Sequence, residues 1–176
     1  LESTKKQLEE AVAYLKSMQA AGKVILFVGV KPEIRQVIKE VALSVNSPYI
    51  AERFIGGTLT NFPQMKKRIE KLHDLLKKKE TGELAVYTKK EQLLIQRDIG
   101  GISSLTNIPS VVVVIDPRHE MMCVKEAKLL HIPVVALSNT DCTIEGIEYP
   151  IVGNDGSVSA VRFVLKTIKG SLSIEA

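Results

Sequence analysis

Near the start of the chain, Leu8, Ala11, Val12, Leu15 and Met18 fall on one face at helical spacing. Thr4-Lys5-Lys6-Gln7 has the pattern of a capping box, so a helix is predicted to open near Thr4 and to end at Gly22. Val24-Ile25-Leu26-Phe27-Val28-Gly29 then runs apolar without alternation, the habit of a strand covered on both faces in a parallel sheet. Pro32 suits a first helical turn, and Ile34, Val37, Ile38, Val41 and Val45 supply the next buried stripe. A short strand is predicted at Tyr49-Ile50-Ala51. The alternation resumes with an apolar run over 110–115, a helix over 118–131, a strand over 133–137, a weaker strand over 149–152, and a helix carrying Val158, Val161, Leu165 and Ile168. Strands alternating with helices predict a parallel, doubly wound α/β sheet of five strands with right-handed crossovers.

One segment interrupts this rhythm. Between the second and third predicted strands lies far more chain than a crossover needs. Phe62, Met65, Ile69, Leu72 and Leu76 are spaced three, four, three, four, the seam of a coiled coil. A helix over 62–79 would be about 27 Å long at 1.5 Å per residue. Glu80-Thr81-Gly82-Glu83 is predicted to reverse the chain, and Thr88-Lys89-Lys90-Glu91 to cap a return helix carrying Leu94, Ile95 and Ile99. Gly56-Gly57 and Gly100-Gly101 bracket the excursion and permit tight backbone where a hairpin leaves a sheet.

Charge changes the picture more by its placement than by its sum. The net charge of the 176 residues is only +4, yet the first long helix carries Lys66, Lys67, Arg68, Lys71, Lys77, Lys78 and Lys79 off its seam, opposed only by Glu70 and Asp74. Lys89, Lys90 and Arg97 add to it on the return helix. Cations near phosphates release condensed counterions, so such an arm gains affinity for RNA without reading bases. A helical face also suits A-form RNA, which proteins recognise largely by shape and backbone. With hydrophobic residues at 45% and no Trp, the core is predicted to be aliphatic, and no apolar stretch is long enough for a membrane span. Cys123 and Cys142 lack C-x-x-C spacing, so neither a disulfide framework nor a zinc site is indicated and a reducing compartment fits. The chain opens on Leu1 with no signal-peptide pattern, which suggests a fragment or a processed start.

A nucleotide- or phosphosugar-binding α/β enzyme is the alternative, because open parallel sheets bind ligands beyond their strand ends. Lys31 follows the first strand and could meet a phosphate, but no G-x-G-x-x-G or G-x-x-x-x-G-K-[ST] loop accompanies it. Asp116 is explained as the N-cap of the helix after the third strand, and His73, His119 and His131 have no nucleophile beside them. Ser103-Ser104 and Ser138 lack a nucleophile-elbow context. Asp141, Glu145, Glu148 and Asp155 could gather a cation weakly between two loops.

Several segments resemble one family in order along the chain. Gly22-Lys23-Val24-Ile25-Leu26-Phe27-Val28-Gly29 is similar to the first-strand motif of the bacterial-type small-subunit ribosomal protein S-two family. Arg53-Phe54-Ile55-Gly56-Gly57-Thr58-Leu59-Thr60-Asn61 resembles its R-[WF]-[LI]-G-G-x-L-T-N signature. Val114-Ile115-Asp116-Pro117, Lys125-Glu126-Ala127, Ile132-Pro133-Val134 and Pro150-Ile151-Val152-Gly153-Asn154-Asp155 follow in the family's order. The resemblance implies a flavodoxin-like doubly wound sheet with an inserted antiparallel coiled-coil hairpin, as a body of 1–61 and 100–176 and an insertion of 62–99. It also implies a structural constituent of the small ribosomal subunit that docks on ribosomal RNA and supports assembly and translation. No enzyme activity, cofactor, metal or membrane is implied. The implied partners are small-subunit ribosomal RNA, neighbouring small-subunit proteins and ribosomal protein S-one, on a cytoplasmic or organellar ribosome. By this likeness Arg53, Thr58, Thr60 and Asn61 form the RNA-facing base of the arm, while its lysines enter on charge alone. The return helix is shorter than the family's, and two loops read Asn139-Thr140-Asp141 and Asn154-Asp155-Gly156 with fewer acids than usual.

Overall fold

A computed structural model describes residues 2–81, 89–142 and 145–172, leaving the side chains of 79–81 and Glu91 outside the description. Among the described residues the order is α1 (Glu2–Ala20), β1 (Ile25–Val28), α2 (Arg35–Ser44), β2 (Tyr49–Ile50), α3 (Phe62–Thr81), α4 (Lys89–Ile99), a 3-10 turn (Gly100–Ile102), β3 (Val111–Ile115), α5 (Met121–Leu129), β4 (Val134–Ser138), β5 (Tyr149–Val152) and α6 (Val158–Leu172). The five strands form one sheet in the order β2-β1-β3-β4-β5, every pair parallel. This is the parallel, doubly wound α/β sheet that the strand–helix alternation predicts, in the flavodoxin-like form that the family resemblance implies.

The unalternating apolar runs are explained by burial on both faces. Ile25, Phe27, Val111, Val113, Ile115, Val135, Leu137 and Ile151 point into a core shared with α1, α2 and α6. Leu26, Val28, Val112, Val114, Val134 and Ala136 point the other way, into a core with α5, the 3-10 turn and the apolar side of α3. Each fully buried Val, Ile, Leu or Phe adds about 1.5–3 kcal/mol, so a sheet without a wet face is strongly held.

Both sheet edges are covered. At the β5 edge Gln7 of α1 accepts the Val152 N–H at 3.0 Å, and Tyr14 stacks on Tyr149 with ring centroids 4.3 Å apart. Gln7 is thus a side chain of the fold, not the closing member of a capping box, and α1 is already helical at Glu2. At the β2 edge the 3-10 turn lies so close that a Cβ on Gly101 would meet the Tyr49 carbonyl oxygen at 2.2 Å, whereas Gly100 has only Gln96 within reach, at 3.9 Å. Gly101→Ala is therefore expected to destabilise by about 2–3 kcal/mol and Gly100→Ala by under about 0.5 kcal/mol, measured as urea midpoints. Equal midpoints would show that the turn can retreat from the edge strand.

Three local expectations need correction. The helix after β3 starts at Met121, not near 118, because Asp116 takes a left-handed φ of 60° and its carbonyl accepts the His119 and Glu120 N–H groups in a preceding turn. Within α3, Phe62, Met65, Ile69 and Leu72 are buried as the seam requires, but next comes Leu75, 6% exposed, and not Leu76, 38% exposed. Adjacent helical positions differ by about 100°, so the buried side turns at the far end and no single seam runs the length of α3. On α4, Leu94 is 41% exposed while Ile95 and Ile99 join the second core. The predicted reversal at Gly82-Glu83, and Thr88 of the second capping box, lie outside the described residues.

Candidate nucleic-acid interface

The chain between β2 and α3 is built as a series of turns. Gly57 has φ +85°, which glycine alone adopts freely, and the Asn61 N–H returns to its carbonyl at 2.9 Å. Leu59 is anchored in the core, 1% exposed. Glu126 of α5, only 5% exposed, reaches this loop: Oε1 accepts the Gly57 N–H at 2.5 Å, and Oε2 accepts those of Leu59 at 2.9 Å and Thr60 at 3.1 Å. Arg53, Thr60 and Asn61 are left exposed at the base of α3. Thr58 is not among them. It is 2% exposed, and its hydroxyl donates to the Ile55 carbonyl at 2.5 Å, so it holds the turn and faces no ligand.

After this base, α3 carries its charge on the side turned away from the core. Its sequence has seven Lys and Arg against three Asp and Glu, an excess of four that equals the net +4 of the whole chain. Lys66, Lys67, Arg68, Lys71, Lys77 and Lys78 are exposed, as are Lys89 and Lys90 of α4, while the Lys79 side chain lies outside the described residues. Lys71, Lys77 and Lys78 each also have an interaction partner within the chain. Ile55, Arg68, Lys71, Leu94, Ile95, Asp98 and Ile99 line a cleft of about 270 Å³ in which two cations and one carboxylate meet four apolar side chains.

The other place to look for a site is the switch point between β1 and β3, where parallel sheets of this order bind ligands. Here the chain fills its own crevice. The Lys31 ammonium is ion-paired with Asp116 and lies 4.0 Å from Asp155, while His119 Nδ1 is 2.7 Å from the same Asp116 oxygen. Burial pushes the Asp116 carboxyl up, but the Lys31 hydrogen bond and charge, with two hydrogen bonds from His119, hold it below the usual aspartate value. Asp116, Cys142 and Asp155 bring ligand atoms within 4.8 Å of one another, with the Lys31 ammonium already between two of them. The loop acids disperse: Glu145 pairs with Lys128 at 2.5 Å, Glu148 accepts the Val134 N–H at 2.7 Å, and Asp155 that of Asn139 at 3.1 Å. Among the described residues Ser138 is buried with no partner for its hydroxyl, so no base activates it.

Glu126, named in the sequence only within the resembling Lys125-Glu126-Ala127, and Glu120 are buried polar residues to which the sequence alone gives no role. Their signal is a carboxylate on the buried side of α5 (Glu126) and one at the position just before it (Glu120), where the buried neighbours Cys123, Val124 and Ala127 are apolar or neutral. Glu120 is 3% exposed and accepts the Val30 N–H at 3.3 Å. Burial pushes its carboxyl up, the single hydrogen bond only partly opposing this, and burial with both glutamates nearby pushes the Cys123 thiol well up. A folded value above the unfolded 4.5 means that Glu120 favours the fold below that pH and loses that contribution as its proton leaves. Glu120→Gln is therefore expected to raise the urea midpoint at pH 7, the difference from the parent closing below pH 4.5. A lower midpoint at pH 7 would mean that the charged form is the one the fold uses.

The sheet's switch-point crevice is occupied by the protein's own ion pair, and α3 carries an excess of four positive charges over its length. The chain matches the family described as Ribosomal protein S2 over residues 1–173, and it belongs to that family. It is a structural protein of the small ribosomal subunit, associated with that subunit's RNA and proteins, and it resides in a ribosome of the cytoplasm or of an organelle. The enzyme alternative has no support. No helix among the described residues is long and apolar enough to cross a membrane.

Proposed function

We propose that residues 62–99 form an antiparallel helical arm, inserted into a body of 1–61 and 100–176, that docks the protein on small-subunit ribosomal RNA by phosphate neutralisation. The observation that carries this reading is the charge of α3, whose excess alone accounts for the net charge of the protein. The interface comprises Arg53, Thr60 and Asn61 at the base, Lys66, Lys67, Arg68, Lys71, Lys77, Lys78 and Lys79 on α3, and Lys89 and Lys90 on α4. Its contacts are with backbone phosphates, so affinity is steep in salt and tolerant of sequence. The family likeness alone supports the finer readings of a cytoplasmic ribosome, an absence of catalysis and contact with ribosomal protein S-one. Co-sedimentation of the full chain with small subunits across a salt series is the test. Loss of association between 50 and 200 mM salt supports the docking arm, and association indifferent to salt would remove the electrostatic basis of the proposal.

A further inference from the structure

We propose that Glu126 is a positioning residue of the RNA interface: an internal anion around which the loop 53–61 folds, so that Arg53, Thr60 and Asn61 face outward where α3 begins. The inference rests on the reading of that loop as RNA-facing and adds what gives it its shape.

The Gly57, Leu59 and Thr60 N–H groups converge on one carboxylate 66–69 residues away in sequence. Converging backbone N–H groups make an anion-binding concavity, and in many proteins such a concavity takes a phosphate. Here the anion comes from the protein. With the Thr58 and Asn61 N–H groups bonded to the Ile55 and Gly57 carbonyls, the N–H groups of 57–61 are consequently spent before RNA arrives, and that stretch meets a phosphate or a base through its side chains. Thr58 is turned inward and bonded to Ile55, leaving Arg53, Thr60 and Asn61 as the outward groups.

The chemistry of the acceptor is demanding. Both oxygens are used, Oε1 by one N–H and Oε2 by two. A carboxylate supplies this, because it only accepts. An amide of the same size does not, since either orientation of its NH2 opposes at least one backbone N–H donor. Glu120, the residue just before α5, accepts a single N–H from Val30, a demand that an amide oxygen also meets. The two glutamates thus share burial and residue type but differ in what they organise, and Glu120→Gln serves as the control.

The experiment compares full-length Glu126→Gln, Glu126→Asp, Glu120→Gln and the parent protein. Each is measured for cooperative unfolding, for amide hydrogen exchange in residues 57–60, and for affinity for small-subunit ribosomal RNA across a salt series. Glu126→Gln is expected to unfold cooperatively, to exchange the Gly57, Leu59 and Thr60 amides about tenfold faster or more, and to bind RNA about tenfold more weakly. Its salt slope should stay within about one unit of the parent's, since the arm cations are untouched. Glu126→Asp, which keeps both oxygens on a shorter stem, should fall between the two, and Glu120→Gln should bind as the parent does. Faster exchange with unchanged affinity would overturn the proposal, as would unchanged exchange or failure of both Glu126 variants to fold. Should a charge-reversed arm also bind normally, the docking reading itself fails. Should the reversed arm lose RNA while Glu126→Gln keeps it, only the role of Glu126 falls.

Discussion

With Lys66→Glu, Lys67→Glu and Lys71→Glu combined, affinity for small-subunit ribosomal RNA is expected to fall on the order of 10²–10³-fold in 0.1 M salt. The size follows from counterion release. Each neutralised phosphate contributes a slope of about 0.9 in log affinity against log salt, which at 0.1 M is roughly eightfold per contact. Three lost contacts multiply to several hundredfold, and repulsion by the new carboxylates adds to it. The slope itself should shrink by about three, a signature that misfolding would not give. All three positions are exposed and lie off the buried side of α3, so cooperative unfolding should be retained with a change of under about 1 kcal/mol. Because Lys71 also interacts within the chain, Lys66→Glu with Lys67→Glu alone is the companion measurement, expected to give the larger part of the loss. An unchanged slope in the triple variant would place the RNA contact elsewhere on the protein.

How legible the fold was depended on how far apart the deciding partners lie. The strands could be read because β1 and β3 are apolar at every position and β4 at all but its last, Ser138, a property of consecutive residues. The basic side of α3 could be read for the same reason, since its charges and its buried Phe62, Met65, Ile69 and Leu72 recur within a few turns. Local rules failed where a distant partner claimed a side chain. Gln7 has a capping pattern but is taken by Val152, 145 residues on. Asp116 sits before a helix as a cap would, yet its carboxylate holds Lys31 across the sheet switch point. Thr58 belongs to the loop signature with Thr60 and Asn61, and only the turn geometry shows that it faces inward. Glu126 was visible only as one letter of a resembling tripeptide, because nothing nearby in the chain indicates three N–H groups waiting for it. The end of the α3 seam failed differently: a strict heptad continues to Leu76, while the packing turns to Leu75.

Lys31→Met is expected to cost about 3 kcal/mol at pH 7, the low end for removing one member of a buried ion pair. The Asp116 side chain is 5% exposed and that of Lys31 20%, so the aspartate would be left buried with its charge while the lysine has been partly wet all along. His119 remains beside Asp116 and moderates the loss. The pH dependence supplies the sign. With its folded value held below 3.8, Asp116 contributes stability that is present above 3.8 and is lost as pH falls through that folded value. The variant gives up this contribution at neutral pH, so parent and variant should converge on acidification, when protonation of Asp116 removes the charge that Lys31 serves. In a chain of this length about 3 kcal/mol corresponds to roughly 6–12 °C in Tm, and urea midpoints at pH 7 and at the acid end give the two limits. Adding Asp116→Asn to Lys31→Met should recover part of the loss, because a neutral buried side chain needs no counter-charge. A Lys31→Met protein as stable as the parent at pH 7 would mean that the switch-point crevice is not sealed by this pair, and that the space is free for a ligand after all.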